Sequence, residues 1–220
     1  MSLKNIYNSF NFTSSYKKKL INFLRENTTI ESGGYKIFNG LYDHLLQIPE
    51  EFASLIIELK KNDKKYKIKN FLEIGFSHGF SNTILHKFFN FDRNVAIDKF
   101  GPHINGYSLF ANLRFKNLIL FCGDTKDPKI TQNLKKLKNF DLILIDADHN
   151  YQSVKNDFKL ALSVSTKKTI FVFHDIAHEN SGSKKFWNEI KRDKKYLFKE
   201  FISGDHKFKY GTGILKFKKP

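Results

Sequence analysis

The chain predicts a three-layer α/β sandwich with a mostly parallel sheet, and three observations support this. From residue 68 onward, short apolar runs alternate with segments of helical period. Those runs are apolar on both faces, as strands buried in a parallel sheet tend to be. The last two apolar segments are joined by the turn-like SGDHKF, which favours a C-terminal antiparallel hairpin.

The elements follow in chain order. Residues 1–45 are a polar lead-in rich in Asn and Lys, with one short helix expected. Tyr16, Leu20, Ile21 and Phe23 or Leu24 form its inner side. GGYKIFNG reads as a turn through Gly33, Gly34 and Gly40. Pro49 opens a helix, with Glu50 and Glu51 in its first turn, where the macrodipole favours acids. Phe52, Leu55, Ile56 and Leu59 follow at helical spacing. Strands are expected at 70–74, 94–98, 118–122, 141–146 and 169–173. Helices are expected at 81–89, more loosely at 107–112, then at 130–137, 151–162 and 184–191. Tyr151, Val154, Phe158 and Leu162 make the inner stripe of the 151–162 helix. Segments 196–202 and 209–217 close the sheet. We read 46–220 as one domain and 1–45 as a lead-in or lid.

Composition narrows the class. Of 220 residues, 40% are hydrophobic and 15% aromatic, enough for one core, which excludes wholesale disorder. The single Cys excludes an intrachain disulfide and a polycysteine zinc site. No run of about 18 apolar residues occurs, so no membrane helix is expected. The N-terminus lacks the basic-then-apolar order of a signal peptide, so a cytoplasmic location is the default expectation. Lys plus Arg total 38 against 22 acids, a net charge of +16. The excess is mostly lysine scattered along the chain, as on a solvated surface, and arginine is scarce.

The chemistry gathers where the expected strands end. In sheets of this kind ligands sit at the carboxyl ends of the strands. Those ends read Glu73-Ile74-Gly75, Asp98, Gly123-Asp124, Asp146-Ala147-Asp148-His149 and His174-Asp175. Gly75 and Gly79 are spaced E-x-G-x-x-x-G; the dinucleotide pattern G-x-G-x-x-G is absent. Such a loop lets the backbone approach a ligand at a helix N-terminus. Asp98 lies about twenty residues on, where an acid can accept from both hydroxyls of a ribose. Asp124 stands where a polar loop can meet an adenine edge.

With these motifs in place, the stretch from Gln47 to about Gly213 resembles a class I S-adenosylmethionine-dependent methyltransferase, of Rossmann-like fold. The resemblance implies that Glu73, Gly75 and Gly79 shape the cofactor pocket, with Phe76 and Ser77 in the loop offering backbone contacts. It implies that Asp98 holds the ribose and Asp124 lies near the adenine, with Asp146 also at the cofactor. The segments LILIDADHNYQSVKNDF and TIFVFHDIAH are similar to the metal-dependent O-methyltransferases. They are closer still to the subgroup of macrolide-sugar O-methyltransferases and cephalosporin-hydroxylase-like proteins. This implies metal ligands at Asp146 and Asp175, Mg²⁺ as the cation, and His149 as general base. It also implies a small hydroxylated acceptor, sugar or glycan-like. A hard cation on two carboxylates lowers a hydroxyl's pKa, and a histidine takes its proton. Ile176 stands where many metal-dependent relatives carry Asn or Asp; His178, Glu179 and Asn180 follow as candidate substitutes.

Plainer roles are weighed beside these. Asp148 is expected to cap the helix after it, and His174 to support the site from behind. Cys122 is expected in the core, and Trp187 to pack on the sheet. No G-x-S-x-G or P-loop lysine occurs, nor a base-methylation D/N-P-P-Y/F motif. A basic protein binding RNA or another polyanion on a methyltransferase scaffold is kept as the alternative, with a nucleic-acid methyltransferase behind it. No membrane partner is expected, and the sequence leaves homo-oligomerisation open.

Overall fold

The computed structural model describes residues 2–37, 44–100, 117–203 and 209–218. Seven strands form one sheet in the order β3-β2-β1-β4-β5-β7-β6. They are β1 (Asn70–Ile74), β2 (Arg93–Asp98), β3 (Leu118–Cys122), β4 (Phe140–Ile145), β5 (Ser165–His174), β6 (Tyr196–Phe201) and β7 (Thr212–Phe217). β1 to β5 run parallel, and β7 is antiparallel to both β5 and β6. The helices are α1 (Leu3–Asn8), α2 (Ser14–Arg25), α3 (Pro49–Tyr66), α4 (Phe80–Phe89), α5 (Pro128–Lys136), α6 (Tyr151–Ser163) and α7 (Gly182–Ile190).

The period-two alternation of the strands makes the three layers. Phe71, Leu142, Leu144, Ile170, Val172 and Ile214 face one core with the apolar sides of α1 to α4. Their neighbours Leu72, Ile143, Ile145, Phe171, Phe173 and Leu215 face the other, with α5, α6 and α7. Each helix starts as its sequence indicates. Pro49 sits in the first turn of α3 with Glu50 and Glu51; Thr13, Asp127, Asn150 and Ser181 cap α2, α5, α6 and α7.

Some expectations need correction. The lead-in holds two helices, because Ser2 caps a short first turn whose Ile6 is fully buried and accepts from Tyr16 Oη at 3.1 Å through its carbonyl. β3 is not buried throughout: as an edge strand it leaves Ile119 and Cys122 exposed, so Cys122 is not core. β5 begins four residues early, and β7 begins only at Thr212, after Gly211 turns at φ +76°. The 107–112 helix, Gly40 and most of the SGDHKF link lie outside the described residues. Trp187 is fully buried and packs on Phe173, as expected. Among the described residues no helix is long and apolar enough to cross a membrane.

Candidate active site

The tips of β1, β2, β3, β4 and β5 open onto one cavity of about 560 Å³. Glu73, Gly75, Phe76, Ser77, Gly79, Asp98, Asp124, Asp146, His149 and Asp175 all line it.

Its centre is the β1 loop. Gly75 has φ +96°, and a Cβ there would fall 1.9 Å from the carbonyl oxygen of Asp146. Only glycine lets the β1 and β4 tips approach this closely. Gly79 turns at φ +73° beneath the Phe76 ring and caps α4. Glu73 is 1% exposed and bonded to Asn82 at 2.8 Å, which Asn94 holds in turn. Burial pushes the Glu73 carboxyl well above the usual range, and Asp146 and Asp98 push the same way.

On one side lies the β2–β3 rim. Asp98 Oδ2 accepts from Ser77 N at 2.7 Å and Oδ1 from Phe100 N at 2.8 Å. The carboxylate is thereby fixed beside the glycine loop, with lone pairs to spare. Asp124 accepts from Lys126 N at 2.9 Å and pairs with Lys99 at 3.0 Å. The backbone bond and Lys99 together hold its pKa down. Asp157 of α6 reaches in from below, taking the Thr125 hydroxyl at 2.6 Å.

On the other side lies the β4–β5 rim. Asp146 Oδ2 accepts from Gln47 Nε2 at 2.8 Å, and its Oδ1 lies 3.1 Å from His174 Nδ1. His174 Nδ1 is also 3.1 Å from Asp175 Oδ1. Burial alone would lower the His174 pKa, but the two carboxylates outweigh it and push it up to about 9. Asp175 is buried at φ +58°, and its Oδ2 holds His149 Nδ1 at 2.9 Å. That bond is the main reason the His149 pKa is raised, although its side chain is 53% exposed. Gly182, at the start of α7, donates to the His149 carbonyl at 2.8 Å and steadies this loop.

Asp148 does not cap α6 as expected: Asn150 does, and Asp148 accepts from Asn150 and Ser153 Oγ, bracing that cap from outside the helix. Ile176 is buried in the core and supplies no ligand. His178 stacks on Tyr210 at 5.2 Å instead of joining the carboxylates. Asp146, His149 and Asp175 can each place a ligand atom within 4.8 Å of the others. Asp175 Oδ1 is buried and makes no hydrogen bond among the described residues. Two carboxylates beside an imidazole are a donor set that fits a divalent cation.

Sequence reasoning missed Gln47, 99 residues from its partner, which no local pattern signals. It also missed Asp157, whose signal was legible: an acid on the inner face of α6 between Val154 and Phe158.

Residues 72–176 match a family described as a methyltransferase domain. No curated protein matches the chain. The fold is similar to the O-methyltransferase TomG of Streptomyces achromogenes, solved with S-adenosylmethionine: TM-score 0.63, 17% identity, 82% of this chain and 84% of that one. It is similar to an O-methyltransferase of Bacillus cereus solved with S-adenosylhomocysteine: TM-score 0.60, 15% identity, 98% and 96% covered. A Podospora anserina methyltransferase, PaMTH1, gives TM-score 0.55 at 15% identity, with 96% and 98% covered. At such identities the likeness is one of fold. Residues 72–176, set in this strand order with acids at the strand tips, are thus a methyltransferase domain within a Rossmann-like fold.

Proposed function

We propose that the protein methylates a hydroxyl oxygen of a small acceptor, sugar or glycan-like, with a divalent cation, Mg²⁺ in the first instance, at Asp146 and Asp175. The observation that carries this is the β4–β5 rim. A half-exposed histidine there leans on a buried carboxylate, beside a second carboxylate, at the cavity mouth.

When bound, S-adenosylmethionine supplies the electrophilic methyl group for an in-line displacement. Asp98 takes the ribose hydroxyls, and the start of α4 beyond Gly79 favours the amino-acid carboxylate. The acids around the cavity favour the sulfonium charge. When bound, the cation lowers the pKa of the acceptor hydroxyl. Asp175 holds the Nδ1–H of His149 and so leaves Nε2 to take the acceptor's proton. A base must be neutral, and the Asp175 bond raises the His149 pKa. In the chelator-treated protein the His149 titration midpoint, read by NMR, is therefore expected above the ordinary 6.5.

The test is transfer of a labelled methyl from S-adenosylmethionine to a panel of sugars and glycans. His149→Asn is expected to lower it about a hundredfold. Label on nitrogen, or full activity of the variant, overturns the reading. Mg²⁺ calorimetry separates the metal: binding is expected in the wild type and lost in Asp175→Asn. No Mg²⁺ binding to the wild type, and transfer unaffected by EDTA, would remove the cation.

The net charge of +16 favours a second reading, polyanion binding by the lysine surface. It predicts binding to RNA that weakens steeply between low and moderate salt.

A further inference from the structure

β2 lies between β1 and β3, so a nucleoside whose sugar is held by Asp98 has the β3 tip within reach of its base, and there Gly123, Asp124 and Thr125 line the cavity. Of the three carboxylates at that end, two already hold at least two partners each. Asp124 is taken by Lys99 and the Lys126 amide, and Asp148 by Asn150 and Ser153. Asp157 is different. It is 2% exposed and lines the cavity. Among the described residues its one hydrogen bond comes from Thr125 Oγ1, and no cation stands within ion-pair distance. A carboxylate offers about four acceptor sites, and burying one with most of them idle is costly. Such a group is in place for a donor that arrives with a ligand.

We propose that Asp157, with Thr125, reads the amino edge of the cofactor's adenine and sets the base specificity of the pocket. Thr125 spends its proton on Asp157, so its oxygen also turns an acceptor toward the cavity. The edge so formed is acceptor-only: it takes an exocyclic amine and repels a carbonyl at the same position. Burial raises the Asp157 pKa to about 6, which leaves the group largely ionised at neutral pH and able only to accept. The inference rests on S-adenosylmethionine occupying this cavity.

Calorimetry tests it without any acceptor. Wild type is expected to bind S-adenosylhomocysteine about tenfold or more tighter than S-inosylhomocysteine, in which a 6-oxo group replaces the amine. Asp157→Asn, whose amide can donate to the oxo group, is expected to narrow or invert that ratio. A ratio near one in wild type, or one that Asp157→Asn leaves unchanged, overturns the assignment. Should the variant fail to fold, the N6,N6-dimethyl analogue of S-adenosylhomocysteine serves with wild type alone. It has no N–H to give, and equal affinity for it overturns the assignment. Tight S-adenosylhomocysteine binding without base discrimination sinks this inference only. No binding of S-adenosylhomocysteine sinks the cofactor reading with it.

Discussion

The two rims of the cavity satisfy their carboxylates by different means. At β2–β3 the partners are fixed: the amides of Ser77, Phe100 and Lys126, the Thr125 hydroxyl and the Lys99 ammonium. At β4–β5 they are largely imidazoles, His174 between Asp146 and Asp175 and His149 on Asp175. Backbone amides keep their character at every pH, and lysine stays charged through neutrality. Imidazoles change charge near it. The first rim is suited to holding a ligand in one pose, and the second to moving a proton.

Gly75 joins the two rims, and its replacement breaks both. Gly75→Ala puts a methyl group into the Asp146 carbonyl at an unfavourable φ. We expect a loss of at least about 3 kcal/mol in urea unfolding. A loss below about 1 kcal/mol would mean that the β1 and β4 tips are looser than they stand here.

The pH dependence of stability sharpens the contrast, because each rim has its own window. Asp157 has a raised folded pKa, so between about 4 and 6 the folded state binds the proton more tightly than the unfolded chain. Stability falls as pH rises through that window. His174 is raised from 6.5 to about 9, so its contribution is whole below 6.5 and is lost as pH climbs toward 9. Each step is on the order of 3 kcal/mol. Chemical denaturation of the chelator-treated protein should show both steps, and Asp157→Asn should erase only the lower one. A flat profile from pH 6.5 to 9 would remove the imidazolium from between Asp146 and Asp175.

Asp98→Ala probes the fixed rim alone. Its removal should weaken S-adenosylhomocysteine binding about tenfold, roughly 1.4 kcal/mol, and leave the His149 titration seen by NMR unchanged. Unchanged affinity would detach Asp98 from the ribose.

Most of the fold was legible. β1 and β3 lie where their sequence runs place them; β1 is covered by helices on both sides and is mostly apolar, its one charged residue being Glu73. The exception within β3 is instructive. LILFC reads as buried, yet it ends at a sheet edge, and edge position is a property of strand order that five residues do not carry. The acids and glycine that line the cavity were legible for a local reason: Gly75, Asp98 and Asp146 each follow directly on an apolar residue at a strand end, and the pair His174-Asp175 closes another run. Tyr210, beyond the last link, and Gln47, ahead of α3, gave no such cue.

The sequence alone determined the alternation of strand and helix and the row of acids and glycines at one end of it, since hydrophobic period and turn chemistry act over a few residues. Only the tertiary structure decided how those acids are neutralised. Which carboxylate meets an amide, a lysine or an imidazole depends on strand order and on contacts across as many as 99 residues, and no local rule reaches that far.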